Sequence, residues 1–212
     1  MSFHTARVTS GQSIPAGVHH HDRYSPESGR ERGYATLARR DAPNGKLLLS
    51  WGGPGTDPGE FNIAHNITCD ADGWVYVADR ENHRVQVFDG NGKYETQWNN
   101  LHRPCGLYCC RGKAPTFVIG ELGPGMPVNL KAPNLGPRLS IVDEKGKLLA
   151  RLGGDNGPGL EAGKFLAPHG LALDSRGDIY VGEVSYTNWK TSFPGTPQPK
   201  SIRSLQKLQR LG

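Results

Sequence analysis

One pattern recurs three times along this chain and constrains its fold more than any other feature. Each copy contains a turn, a His or Cys, an apolar run, a second turn, and another apolar run that ends in an acidic residue. The copies carry, in order, His65 and Asp79, Cys105 and Glu121, and His169 and Glu183. The interval between these two markers is 14 residues in the first and third copies and 16 in the second. Spacing this regular indicates one structural unit used repeatedly.

A second recurring phrase marks the end of each unit. A Gly-Lys turn precedes a strand-like run in residues 44–51, 91–98 and 145–152. A tight turn of this kind joins adjacent antiparallel strands. Units of about 40 residues built from short strands are typical of β-propeller blades. The sequence therefore predicts an all-β fold, a β-propeller of four-stranded blades.

The predicted blades cover residues 63–98, 103–152 and 167–210, and one further outer strand, 46–51, precedes them. Propellers have about four to eight blades. Three outcomes stay open: a fragment of a longer six-bladed parent, an open arc or incomplete ring, or a homodimer that completes one six-bladed ring. Equivalent positions in successive blades face one axis. We therefore expect His65, Cys105 and His169 to be neighbours in space.

The composition of the chain changes near residue 43. Residues 1–43 are rich in Arg, Ser, Gly and His and poor in aliphatic side chains, which predicts a disordered or non-propeller segment. Residues 44–212 contain the predicted blades. No apolar run approaches the roughly 18 residues of a membrane helix, so no membrane partner is expected. The N-terminus shows no apolar signal region, and the sequence leaves the compartment unknown.

Charge and cysteine content speak against other classes of protein. The net charge is +5, but Lys and Arg are scattered and accompany no nucleic-acid motif, so no nucleic-acid partner is expected. The four cysteines are Cys69, Cys105, Cys109 and Cys110. They form no CxxC pair and are expected to be reduced, buried thiols. A disulfide between Cys69 and Cys109 is the alternative.

Several motifs resemble those of NHL-repeat proteins. They are the run from Pro58 to His65, the run 77–88 with its "VADREN" phrase, and the matching runs 165–170 and 180–183. More narrowly, residues 44–208 resemble the six-bladed catalytic core of the peptidyl-α-hydroxyglycine α-amidating lyases and their bacterial relatives. Proteins of that family are often exported.

This resemblance implies a zinc-dependent carbon–nitrogen lyase that releases an amide and glyoxylate. In such lyases three histidines from three blades hold zinc on the axis, and His65 and His169 match two of them. Arg80 matches an active-site arginine. The family's third zinc histidine and catalytic tyrosine belong to blades outside the matched region. The acidic calcium ligand of the family is replaced by Gly170, which makes calcium doubtful. The resemblance leaves open whether this chain alone is active.

The residues themselves leave the chemistry of the axis open. Cys105 either adds a thiolate ligand to His65 and His169 or lines the channel wall, and the histidines either bind a metal or bond to backbone carbonyls. Arg80 either binds a substrate carboxylate or pairs with a neighbouring acidic side chain. The acidic residues at the strand ends either cap turns or, if desolvated near the axis, supply a general base.

Three functional hypotheses follow. The first is a zinc-dependent lyase acting on a small molecule or a peptide C-terminus. The second is a non-catalytic scaffold that binds a protein or a small ligand on its loop face, since propellers host both kinds of function. The third is a metal-dependent, lactonase-like hydrolase, with calcium held by Glu121, Glu183 and Asn66. Metal retention through His65 and His169 would favour the first.

Overall fold

β-Strands make up most of the regular structure in the computed structural model, which describes residues 18–20, 38–112, 114–153 and 157–211. The strands are β1 Val18–His20, β2 Ala38–Asp41, β3 Leu47–Trp51, β4 Ala64–Cys69, β5 Val75–Asp79, β6 Arg84–Phe88, β7 Tyr94–Trp98, β8 Pro104–Cys110, β9 Thr116–Glu121, β10 Arg138–Asp143, β11 Leu148–Leu152, β12 Pro168–Leu173, β13 Ile179–Glu183 and β14 Leu205–Leu208. One α-helix, α1, spans Ser185–Ser192, and 3-10 turns lie at Arg80–Asn82 and Pro127–Asn129.

The strands form four antiparallel sheets, which we number as blades in chain order. Blade 2 is β4-β5-β6-β7, blade 3 is β8-β9-β10-β11, and blade 4 is β12-β13-β14. The first strands of blades 2, 3 and 4 contact one another in succession, β4 with β8 and β8 with β12. The observed bounds confirm the predicted blades 63–98, 103–152 and 167–210, and with them the propeller of four-stranded NHL-type blades. The six-bladed parent stays a prediction.

The strand predicted at 46–51 is not isolated. It is β3, the outer strand of a three-stranded sheet of order β1-β2-β3, which is blade 1. Strand β1 contacts β4, and Ala38 of β2 is fully buried in the core shared with blade 2. The segment 1–43, predicted to be disordered or outside the propeller, lies mostly outside the described residues. Its described parts, 18–20 and 38–43, include two of the three strands of blade 1.

The Gly-Lys turns close the outer hairpins and also fix how neighbouring blades pack. In blade 3 the Asp143 carboxylate accepts the backbone N–H groups of Lys145 and Lys147, each at 2.9 Å, and Gly146 has φ +76°. A Cβ at Gly146 would lie 2.3 Å from the Trp98 ring of the preceding blade. The same relation joins Gly92 to Trp51, at 2.8 Å. Glycine is therefore required here both by backbone conformation and by the tryptophan that packs on it.

Apolar side chains between blades form the core. Between blades 2 and 3, the rings of Tyr76, Trp98 and Phe117 are mutually in contact, with centroids 4.3 to 5.1 Å apart. Such aromatic pairs contribute about 0.5–1.5 kcal/mol each beyond their buried area. Cys109 lies in this core, whereas Cys110 packs against the core between blades 3 and 4, so the two adjacent thiols face opposite sides of β8.

All four cysteines are free thiols. The structure thus agrees with the expectation of reduced thiols and not with a disulfide between Cys69 and Cys109. No helix in the described part of the chain is long and apolar enough to cross a membrane.

Helix α1 lies in the segment that joins β13 to β14 and has no counterpart in the predicted all-β blades. Trp189 of α1 is buried with Leu166 and Ile202, and its Nε1 donates to the Thr196 carbonyl at 3.0 Å. Leu166 lies two residues before the start of β12. The helix therefore supports the turn that leads into the strand bearing His169.

Candidate metal centre

Each of the three residues predicted to meet at the axis occupies a β-bulge in the first strand of its blade. The strand register skips one residue between Ala64 and Asn66, between Pro104 and Gly106, and between Pro168 and Gly170. The skipped residues are His65, Cys105 and His169. A bulged residue leaves the regular ladder and re-aims its side chain. The repeat thus presents an equivalent side chain at the same place in three successive blades.

Two of the approach turns contain a residue in the left-handed backbone region. Ile63 has φ +63° and Arg103 has φ +52°, and each stands two residues before a bulged residue. For a residue with a Cβ this conformation costs roughly 1–2 kcal/mol. The surrounding blade contacts offset that strain, as is common where a fold constrains a functional site.

The structure brings His65, Cys105 and His169 together. Their candidate ligand atoms, one from each residue, lie within 4.8 Å of one another. The Cys105 Sγ is 3.4 Å from both ring nitrogens of His65, and the His65 and His169 rings meet edge to face with centroids 4.5 Å apart. Tetrahedral zinc ligands are about 3.3–3.8 Å apart, given zinc–ligand bonds of 2.0–2.3 Å. Small side-chain rotations would therefore bring all three donors onto one ion.

Two glycines allow the strands that carry Cys105 and His169 to approach. A Cβ at Gly106 would lie 2.8 Å from the His169 carbonyl oxygen, and one at Gly120 would lie 2.9 Å from the Pro168 carbonyl oxygen. Real Cβ atoms do not tolerate such distances to backbone, so β12 could not pack this closely on β8 and β9 with larger residues. The Gly that follows Cys105 in the motif is thus part of how the cluster is built.

Within the cluster Cys105 is fully buried and the two histidines are partly exposed, and the Arg80 charge acts on both Cys105 and His169. Burial raises the pKa of the Cys105 thiol to about 12, although the nearby Arg80 guanidinium acts in the opposite direction. Burial, and then the charge of Arg80, lowers the pKa of His169. His169 therefore stays neutral, with a lone pair available, to lower pH than an ordinary histidine. Two imidazole nitrogens and one sulfur form a donor set that suits a divalent ion of borderline softness such as zinc.

Arg80 lies beside the cluster, at the start of the 3-10 turn that follows β5. Its charge acts on the Cys105 thiol and opposes the rise of that pKa caused by burial. Its Nε pairs with Glu81 Oε1 at 2.8 Å rather than with Asp79, whose carboxylate is bound by Arg84. Arg80 thus has both a structural partner and a position next to the candidate ligands. Its role in binding a substrate carboxylate stays a prediction.

The acidic residue at each strand end pairs with an arginine of its own repeat and so stabilises that blade. Glu121 is fully buried and accepts a bidentate pair from Arg138 at 2.8 and 2.9 Å, a bond from Ser140, and the His102 N–H at 2.6 Å. The corresponding ion pairs are Asp79 with Arg84 and Glu183 with Arg203. These contacts favour the turn-capping interpretation over the general-base one.

The residues proposed for a lactonase-type calcium site are each engaged in hydrogen bonds of their own. The Asn66 side chain accepts the Ile67 N–H at 2.7 Å. Glu183 accepts the backbone N–H groups of Leu166 and Ala167. Among the described residues, the group of three or more His, Cys, Asp or Glu side chains with ligand geometry is the His–Cys–His cluster.

Glu81 is the neighbouring acidic side chain with which Arg80 pairs, one of the two alternatives left open by the sequence, but sequence reasoning missed Arg103. Arg103 Nη2 lies 2.9 Å from Glu81 Oε1, which joins blades 2 and 3 beside Arg80. The available signals were that Glu81 follows Arg80 and that Arg103 stands two residues before Cys105. Their pairing across blades is a tertiary contact that spacing alone does not reveal.

A stacked histidine pair lies next to this network. The rings of His83 and His102 are 4.6 Å apart at an interplanar angle of 25°, and His83 Nδ1 accepts the Arg103 N–H at 3.1 Å. The His102 Nε2 is buried without a hydrogen-bond partner in the described structure. Burial, followed by the neighbouring His83, lowers the pKa of His102 to about 4.

We expect His102 to make the fold acid-sensitive. Between the ordinary histidine pKa of about 6.5 and the folded value of about 4, the unfolded chain binds a proton that the folded chain does not, so stability falls as pH falls through this window. Thermal unfolding midpoints at pH 7 and pH 4.5 test this. His102→Phe keeps the stacked ring, and its midpoint should drop less than that of the wild type. Equal drops would contradict the prediction.

The fold and the repeats define the class of protein: the chain is a β-propeller that contains an NHL repeat. The family model of the NHL repeat matches residues 61–88, which include β4, β5 and β6. A solved structure of a protein of unknown function from Bacteroides caccae superposes with a TM-score of 0.52 at 10% identity, covering 81% of this chain and 54% of that chain. That likeness concerns the fold alone.

Particular relatives share more of the sequence. The human NHL repeat-containing protein 3 is 52% identical over 148 residues, covering 65% of this chain and 38% of the human protein. The mouse protein of the same name is 32% identical over 164 residues, covering 70% and 42%. Peptidyl-glycine alpha-amidating monooxygenase A of Xenopus laevis is 29% identical over 170 residues, covering 76% and 17%. The chain spans about two fifths of the NHL repeat-containing relatives.

Proposed function

We propose that this chain carries a zinc site on the propeller axis, formed by His65, Cys105 and His169, and that the site serves a carbon–nitrogen lyase reaction. The observation that carries the proposal is the convergence of three donor atoms within 4.8 Å at equivalent bulges of three blades. A position shared by three repeats is more readily explained by a common ligand than by three separate packing needs. The similarity to an amidating monooxygenase supports the reaction class.

The donor set fits zinc. Three protein ligands with one open position are typical of catalytic zinc, whereas structural sites use four. A zinc ion held there would supply Lewis acidity to an oxygen of the substrate. The chain's own contribution is to fix three donors on rigid strands, to exclude water around Cys105, and to place Arg80 beside them.

The proposed substrate is an N-acyl-α-hydroxyglycine, such as an oxidised peptide C-terminus. Arg80 would bind its carboxylate through two parallel N–H···O bonds. The hydroxyl group loses its proton, the C–N bond breaks, and the amide nitrogen takes up a proton. One substrate therefore gives one amide and one glyoxylate, without an added reactant.

The test measures zinc and glyoxylate on one purified preparation of residues 1–212. We expect close to one zinc per chain, and glyoxylate release from N-benzoyl-α-hydroxyglycine above a zinc-only control. Arg80→Gln should keep the zinc and lower the rate about 10- to 100-fold, the worth of a charged hydrogen-bonded pair of about 1.5–3 kcal/mol. A folded chain without zinc would overturn the proposal.

A second candidate function is a zinc-containing scaffold that binds a protein or small ligand on the loop face without chemistry. It is favoured by the acidic residues at the strand ends, because Asp79, Glu121 and Glu183 are all engaged in structural hydrogen bonds. Stoichiometric zinc with no glyoxylate release would support this candidate. Completion of the ring by a second copy of the chain stays a prediction.

A further inference from the structure

A chain of ion pairs crosses from blade 3 to the candidate metal cluster. Arg103 donates from Nη2 to Glu81 Oε1 at 2.9 Å and from Nε to both Glu81 oxygens at 3.2 Å. Glu81 in turn accepts the Nε of Arg80 at 2.8 Å. One carboxylate therefore links two guanidinium groups, and the charge of the second, Arg80, acts on Cys105.

Arg103, at one end of this chain, is tightly held. Its side chain is 14% exposed, its backbone N–H donates to His83 Nδ1, and its Nη1 donates to the Gly123 carbonyl at 3.3 Å. Gly125 packs so closely that a Cβ there would lie 3.1 Å from Nη1. These contacts leave the Arg103 side chain little rotamer freedom, so it can act as a fixed anchor for Glu81.

Arg80, at the other end, is held differently. Glu81 binds its Nε, the inner atom of the guanidinium, and its charge acts on both Cys105 and His169. A guanidinium binds a carboxylate end-on through its two terminal amino groups. Burial alone would raise the pKa of Glu81, but the pairs with Arg103 and Arg80 outweigh it and lower the pKa, so Glu81 stays ionised at neutral pH.

We propose that Arg103 and Glu81 are positioning residues that hold the Arg80 guanidinium in place for the carboxylate of a ligand bound beside the His65–Cys105–His169 cluster. This inference rests on the function proposed above, in which Arg80 binds the α-carboxylate of the ligand, and it adds the residues that position Arg80. Fixing a long, flexible side chain before binding lowers the entropy lost on binding. Neither positioning residue needs to touch the ligand.

The two residues carry opposite charges, which separates positioning from simple electrostatic attraction. Glu81→Gln makes the site more positive, and Arg103→Gln makes it less positive. If only the local field mattered, the first variant would bind an anion more tightly and the second more weakly. If Arg80 must be held in place, both variants bind more weakly.

The experiment is a ligand-observed NMR titration of N-acetylglycine into the full chain, metal-free and zinc-loaded. We expect Glu81→Gln and Arg103→Gln each to raise the Kd about 10-fold, within the reach of one charged hydrogen-bond network. The double variant should be no weaker than the weaker single, because either change already breaks the link. Glu144→Gln, at an exposed turn position, is the matched control and should bind as the wild type does.

The outcomes are distinct. Opposite shifts in the two single variants, or no shift in either, would overturn the inference. A wild type that binds zinc but not N-acetylglycine would also overturn it, while leaving the zinc site standing. If the wild type takes up no zinc but still binds N-acetylglycine, and both single variants weaken that binding, the inference stands and the proposed function is contradicted. Arg103→Lys keeps the positive charge but cannot form the paired N–H···O bonds of a guanidinium. Weaker binding of N-acetylglycine by this variant supports positioning even if Arg103→Gln fails to fold.

Discussion

Replacing Arg138 by Met is expected to destabilise the fold by about 3–5 kcal/mol, the usual effect of breaking a buried ion pair from one side. The side chains of Arg138 and Glu121 are only 2% and 0% exposed. Without Arg138, the Glu121 carboxylate would stay buried in blade 3 with its main counter-charge removed. Urea unfolding at neutral pH, followed by tryptophan fluorescence, measures the change directly.

A matched control comes from another arginine. Arg176 is 70% exposed and pairs with Asp174 and Asp178 at 3.4–3.5 Å, so Arg176→Met should cost less than about 1 kcal/mol. Adding Glu121→Gln to Arg138→Met removes the uncompensated charge, and the double variant should be less destabilised than the sum of the singles. If Arg138→Met were as mild as Arg176→Met, the ion pair would not hold blade 3 together as argued.

Most of the propeller was predictable because its signals are local and repeated. Each outer hairpin turn can be recognised from a few neighbouring residues, an Asp followed by Gly-Lys. The hydrogen bonds of Asp143 show how such a turn is stabilised. Recurrence at fixed intervals then gives the blades without any knowledge of contacts. Blade 1 escaped prediction because β1 and β2 lie in a segment poor in aliphatic residues. Ala38 is nevertheless fully buried, since its partners come from blade 2.

Helix α1 was missed for a related reason. Its sequence has no clear apolar periodicity, and the helix is ordered by the packing of Trp189 onto Leu166 and Ile202 from distant parts of the chain. In the site, the bulged residues could be anticipated, because a repeated offset places them at equivalent positions. The link from Arg103 through Glu81 to Arg80 could not be, because it pairs residues of different blades at unequal offsets.

The second large effect concerns the metal itself. Cys105→Ala, His65→Ala and His169→Ala are each expected to lower zinc affinity about 10²- to 10³-fold. Structural zinc sites with four ligands bind with about 10–16 kcal/mol, so one ligand contributes on the order of 2.5–4 kcal/mol. Competition with a chromophoric chelator at fixed pH measures the affinity. Because the Cys105 thiol is protonated when metal-free, zinc binding should also release a proton, and this release should be lost in Cys105→Ala.

Cys109 supplies the control for the sulfur ligand. Burial raises its pKa to about 12, as it does for Cys105, but Cys109 lies in the core between blades 2 and 3 and not in the cluster. Cys109→Ala should therefore leave zinc affinity unchanged. With cobalt in place of zinc, the wild type and Cys109→Ala should show a sulfur-to-metal charge-transfer band that Cys105→Ala lacks. A band that persists in Cys105→Ala would mean that another thiol binds the ion. If Cys105→Ala keeps full zinc affinity and shows no band, the histidines hold the metal without sulfur and Cys105 only lines the channel wall.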